Sequence, residues 1–211
     1  MACGEYSVTI VTMYSPEDRT AKAIIRDTAV ELFGRHGADA VPLRNVAVQA
    51  EVSQALIIKH YGSRDGLITA ADEHVLGVTE RLLHGVVIES GGDLGLDAIG
   101  APLSRLLGTS STGPYLAKLL TGEGTRSRHA FERLAEFARG LIEQLAEEGM
   151  VASGVDRDDL AVLLLVHDLS VLILRTRITE AFGVDPLDGA GAERLASITK
   201  ELYSGKALTA R

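Results

Sequence analysis

Apolar residues recur at steps of three and four along most of this chain, and that period predicts helices. Over residues 17–36 the apolar positions are Ala21, Ile24, Ile25, Ala29, Leu32 and Phe33, and Gly37 supplies a stop. Two short helices are predicted next. Pro42 suits the first turn of one that runs to Ala50, and Ser53 is placed to cap a second that runs to about Tyr61. Ser63 is placed to cap a long helix carrying Leu67, Ala71, Val75, Val78, Leu82 and Val86. Between Gly85 and Gly124 lie nine glycines, with Pro102 and Pro114, a pattern that predicts short helices, several loops and greater mobility. Regular spacing returns over residues 126–149, with Phe131, Leu134, Ala138, Leu141 and Leu145 on one stripe. A break at Gly154–Val155–Asp156 precedes an apolar helix from about Asp158 to Phe182, closed by Gly183 and Pro186. A last helix over about 190–204 puts Ala192, Leu195, Ala196, Thr199, Leu202 and Tyr203 on one face. No strand pattern and no internal repeat emerges, so the expected fold class is all-α.

Composition agrees with packed helices. Aromatics make up 4 % of the 211 residues and Trp is absent, so the core must be aliphatic. Sheets favour aromatic and β-branched residues instead. The single cysteine, Cys3, excludes an internal disulfide and a multi-cysteine metal site, which fits a reducing compartment and a cytoplasmic location. The first 12 residues hold no Lys or Arg, unlike the start of a signal peptide. Residues 1–16 read as a disordered tail, or as an over-long start with Met13 as the true one. The apolar run 160–174 falls short of the roughly 20 residues of a membrane span and carries His167 and Asp168, so it reads as a core or interface helix.

Function concentrates in residues 24–67. Two short amphipathic helices are joined by a tight turn, Glu51–Val52–Ser53, and a third helix precedes them. This is helix-turn-helix spacing, in which the second short helix enters the DNA major groove. Ile57 and Tyr61 serve its packing, which leaves Gln54, Ala55, Leu56, Ile58, Lys59 and His60 to face outward. A glutamine can pair with an adenine edge, and small apolar groups can meet a thymine methyl. Lys59, His60 and Arg64 can bind phosphate, and the helix start at Ser63 can add backbone donors.

The same segment resembles the N-terminal DNA-binding domain of the TetR family of bacterial transcriptional regulators. The family's first-helix pattern falls on Ile25, Thr28, Ala29, Leu32, Phe33 and Gly37. Its helix-turn stretch falls on Leu43 to Ser53, its recognition helix on Gln54 to Tyr61, and its closing stretch on Gly62 to Leu67. The resemblance implies that Gln54, Ala55 and Leu56 read bases and that His60 and Arg64 grip phosphates. Three positions depart from the pattern: Glu51 stands where a turn Gly is usual, Ile58 where many relatives carry Tyr, and Pro42 where a Ser or Thr would cap the helix. Gln54, Ala55, Leu56, His60 and Arg64, with Arg44, Ser53, Ile58, Lys59 and Ser63, form the expected DNA contact set.

Beyond that segment the residues suggest less. His167, Asp168 and Ser170 are polar groups within an apolar helix; they either line a ligand pocket or pair across a dimer interface, for instance Asp168 with Arg175. Tyr115, His129, Phe131 and Phe137 either face a cavity or are plain core. No catalytic constellation, metal spacing or phosphate loop emerges, so neither an enzyme nor a cofactor is expected.

The net charge of −8 sits unevenly. Residues 16–67 hold seven basic and seven acidic groups, whereas residues 68–211 hold 14 basic and 21 acidic. The acidic total therefore does not exclude DNA; it predicts weak non-specific binding with a modest salt slope. The expected organisation is a DNA-binding domain at 17–62 and an effector-binding and dimerisation domain at 63–211. The expected function is a ligand-responsive regulator, acting as a homodimer on a palindromic operator. Release by an apolar or amphipathic small molecule would make it a repressor. The alternative is an all-α small-molecule-binding protein or enzyme that has lost DNA binding.

Overall fold

The computed structural model describes residues 20–89 and 110–203. They form eight helices: α1 (Ala21–His36), α2 (Leu43–Gln49), α3 (Gln54–Tyr61), α4 (Arg64–Glu89), α5 (Thr112–Thr121), α6 (Thr125–Glu147), α7 (Arg157–Phe182) and α8 (Gly189–Tyr203). The expected tail at 1–16, the middle of the glycine-rich stretch and the chain end lie outside the described residues. No strand occurs among the described residues, in keeping with the all-α expectation.

Local chemistry sets the helix ends. Thr20 caps α1 by accepting from the Ala23 N–H, Ser53 caps α3 by accepting from Leu56, and Asp156 caps α7 by accepting from Asp159. The Ser63 hydroxyl accepts from the Gly66 N–H at 2.9 Å and so caps α4. Pro42 precedes α2 as its cap residue and offers no side-chain bond.

One aliphatic core runs from the first three helices into the rest. Ile25, Phe33, Val46, Ile57, Leu67, Val75, Leu76, Leu116 and Leu134 are essentially closed to solvent. The α1 helix lies directly on α5: a Cβ on Gly34 would sit 3.1 Å from the Tyr115 nitrogen and 3.2 Å from the Ser111 oxygen, so a side chain there would need the neighbouring backbone to give by a few tenths of an ångström. The Phe33 and Tyr115 rings pack across the same contact, 6.2 Å between centroids.

Several apolar positions differ from the sequence expectation. Ile24 is 38 % exposed because it points away from the α1 face that meets α4 and α5. On α6 the buried stripe is Ala130, Leu134, Ile142 and Leu145, and Phe131 is turned outward. On α7 only Ala161 and Leu172 are fully buried. Val162, Leu163, Val166, Ile173 and Leu174 are exposed, as are Ile198 and Leu202 on α8. These aliphatic side chains are left uncovered in the single chain. No helix among the described residues is long and apolar enough to cross a membrane.

Candidate nucleic-acid interface

The α2–turn–α3 unit is built by hydrogen bonds that the sequence permits at a cost. At the end of α2 the Val52 N–H donates to the Ala47 carbonyl at 2.9 Å and the Glu51 N–H donates to Val48 at 3.2 Å. This is the Schellman closure, and it places its penultimate residue in the left-handed region. Here that residue is Glu51, at φ 55°, the only non-glycine with positive φ among the described residues. The same closure ends α6, where Met150 donates to Leu145 and Gly149 takes the left-handed position. A glutamate in that conformation costs about 1 kcal/mol more than a glycine, and it holds a carboxylate at the turn. Glu51→Gly is therefore expected to raise stability by about 1 kcal/mol in urea unfolding and to tighten DNA binding at low salt.

The α3 helix is held from behind. Ile57 is fully buried, and the Tyr61 hydroxyl donates to the Lys22 carbonyl of α1 at 2.5 Å. The Lys22 ammonium lies over the Tyr61 ring, 5.6 Å from its centroid. Burial raises the Tyr61 phenol above its ordinary pKa, so this donor keeps its proton. Glycine is needed where α3 passes into α4, since a Cβ on Gly66 would lie 2.0 Å from the Tyr61 carbonyl oxygen.

With the back face fixed, Gln54, Ala55, Ile58 and Lys59 are exposed together on the outer face of α3, and Arg44 is exposed on α2. His60 is half-buried at the end of α3. Leu56 differs from its expected outward position: it is half-buried and packs on the core beside Ile57. Ser53 and Ser63 use their hydroxyls as helix caps. Arg64 also takes a different place. Its guanidinium donates to the carbonyls of Ala38 and Val41, so it ties the start of α4 to the α1–α2 turn instead of reaching outward.

A half-buried polar clamp ties α4, the helix that follows α3, to α5 and α6. Asp72 of α4 accepts from the Tyr115 hydroxyl at 2.6 Å and from the Arg126 guanidinium at 2.8 and 2.9 Å. Burial and the neighbouring carboxylate hold the Tyr115 phenol far above its ordinary value, so it remains a donor. Beside the clamp lies a cavity of about 130 Å³ lined by Phe33, Asp39, Tyr115, Lys118, Glu123 and Arg126. Sequence reasoning missed Asp72 and Arg126, because residues 54 apart carry no shared pattern.

The six residues expected around a ligand do not share one cavity. Tyr115 belongs to the clamp and Phe131 faces solvent. His129 and Phe137 line an open depression between α4 and α6 with Glu80 and Arg133. His167 and Ser170 sit half-buried on α7, where Ser170 donates to the His167 carbonyl at 2.7 Å and His167 faces Asp168 at 3.4 Å. Within the chain Arg175 binds Asp185 at 2.7 Å, which lowers the Asp185 carboxyl below its ordinary value and fixes the turn after α7.

Three helices with a tight turn and an exposed polar face on the third define a helix-turn-helix DNA-binding module. The sequence profile described as "Bacterial regulatory proteins, tetR family" matches residues 25–71, the segment that holds α2, the turn and α3, so this part of the chain is similar to that family. The HTH-type transcriptional regulatory protein RaaS of Mycobacterium tuberculosis is 53 % identical over 58 residues, 28 % of this chain and 27 % of that protein. The HTH-type transcriptional repressor SCO4008 of Streptomyces coelicolor is 27 % identical over 160 residues, 72 % of this chain and 79 % of the relative. In fold the chain is similar to AibR, solved in complex with isovaleryl coenzyme A and operator DNA. That match has a TM-score of 0.61 at 16 % identity, over 87 % of this chain and 97 % of AibR. The alignment with RaaS spans only about a quarter of that relative's length.

Proposed function

We propose that this chain is a ligand-responsive transcriptional repressor that binds a palindromic operator as a homodimer in the cytoplasm. The observation that carries this reading is the outer face of α3, where Gln54, Ala55, Ile58 and Lys59 stand exposed on a helix whose opposite face is buried. Residues of about 17–62 form the DNA-binding head, and the rest forms the effector-binding and dimerisation body. Arg44, Lys59, His60 and the N–H groups at the starts of α3 and α4 meet phosphates. Two heads then occupy half-sites about 34–36 Å apart.

Dimerisation uses the exposed aliphatic side chains of α7 and α8, including Leu163, Val166, Ile198 and Leu202. The effector is an apolar or amphipathic small molecule. His129, Phe137, His167 and Ser170 are the proposed contacts, since Tyr115 is engaged by Asp72 and Phe131 faces solvent. Bound effector favours a head spacing that does not fit the operator, so it shifts the dimer away from DNA. The α4 helix is the lever, because it follows the recognition helix directly and carries Asp72 into the clamp. A reporter gene under the protein's own upstream DNA tests the reading. Gln54→Ala combined with Lys59→Ala is expected to relieve repression at unchanged protein level, and unchanged reporter output overturns it.

A further inference from the structure

We propose that the outer face of α3 reads A·T base pairs, and that Ala55 and Ile58 do so through the 5-methyl groups of thymine. This rests on the repressor reading above and names the base chemistry of the same surface. Ile58 is 42 % exposed, although Ile57 beside it is fully buried and the head has an ordinary aliphatic core. An isoleucine uncovered on a recognition face can bury itself only against an apolar group of the groove, and in the major groove the thymine methyl is the apolar group on offer. Ala55 and Ile58 are three residues apart, about 4.5 Å along a helix. That is close to one base-pair step, so the two side chains can meet methyls on neighbouring pairs.

The polar groups of the face point the same way. Gln54 is exposed at the start of α3 and matches the donor and acceptor pair on an adenine edge. The helix contains no arginine, the side chain that most often reads guanine in paired fashion. Lys59, its exposed cation, stands one position beyond Ile58 and reaches phosphate equally well. Glutamine on adenine and isoleucine on thymine are therefore two readings of one kind of base pair, taken from its two strands.

The test begins by selecting bound duplexes from a random DNA library with the full-length protein. The enriched palindrome is then resynthesised with uracil in place of thymine, which removes only the methyl groups. Each methyl in contact is expected to be worth about a four-fold change in Kd, the value of one buried carbon. Ile58→Ser is expected to bind the thymine duplex more weakly and to lose its sensitivity to uracil at one position per half-site. Ile58→Val is expected to keep that sensitivity. Equal binding of thymine and uracil duplexes by the wild type overturns the proposal, and so does an Ile58→Ser variant that keeps uracil sensitivity at every position where the wild type has it. Enrichment of a G·C half-site overturns it while leaving the repressor reading intact, whereas no enriched sequence at all defeats both.

Discussion

Leu163→Glu combined with Val166→Glu leaves the helices folded and removes operator binding. Both side chains are about half exposed in the single chain, at 55 % and 51 %, so carboxylates there remain solvated and the core is untouched. In a dimer the same positions close against a partner, and charged groups would be buried without counter-ions, at a cost of several kcal/mol. The consequence for DNA is larger than the loss of one contact. A head tied to a partner meets its second half-site at an effective concentration in the millimolar range, and a free head does not. The head adds little non-specific attraction to compensate, since its basic and acidic groups balance. Sedimentation should report a single chain, circular dichroism an unchanged helix content, and operator affinity a fall of at least about a hundred-fold. A variant that stays monomeric yet binds its operator as the wild type does would remove the dimer from the account.

Asp72→Ala is expected to have the largest effect on stability. The carboxylate accepts from Tyr115 and from both nitrogens of the Arg126 fork, and its side chain is 13 % exposed. Removing it leaves the Tyr115 hydroxyl, on a residue 3 % exposed, without its acceptor. It also leaves Arg126 without its counter-ion. The Arg126 side chain is 39 % exposed, so water screens part of that loss. The combined cost is about 2–4 kcal/mol. Tyr115→Phe removes only the hydroxyl and should cost about 1 kcal/mol. Because the clamp ties α4 to α5 and α6, Asp72→Ala should also change operator affinity by more than its folded fraction explains. A loss below about 0.5 kcal/mol, within the range of ordinary surface changes, would show that the clamp does not hold α4 to α5 and α6.

Local signals made much of this legible beforehand. Ser53 and Ser63 announce their helices as caps, and both serve as such. The strain at Glu51 follows from the turn alone, and its φ of 55° is that strain observed. Arg64 turns to acceptors that no local pattern reveals, because a sequence shows a cation and not its nearest acceptors; the carbonyls of Ala38 and Val41 lie more than twenty residues away. Leu56 packs inward on a helix too short for its period to fix every face. Phe131 fits the apolar spacing of α6, yet the buried stripe runs through Ala130, one position to its side. Asp72, Tyr115 and Arg126 meet only in the fold, and no spacing predicts that meeting. The ligand residues stayed scattered for the same reason, since a cavity between helices has no local sequence pattern.

The central claim is that a dimer of this chain recognises one DNA sequence through α3. Fluorescence anisotropy with the DNA upstream of its own gene, titrated from low to high salt against a scrambled duplex of equal length, tests it most directly. The account predicts a saturable complex of two chains per duplex at physiological salt. It also predicts a modest salt slope and binding at least about a thousand-fold tighter than to the scrambled duplex. Equal binding to both duplexes at every salt concentration would contradict it.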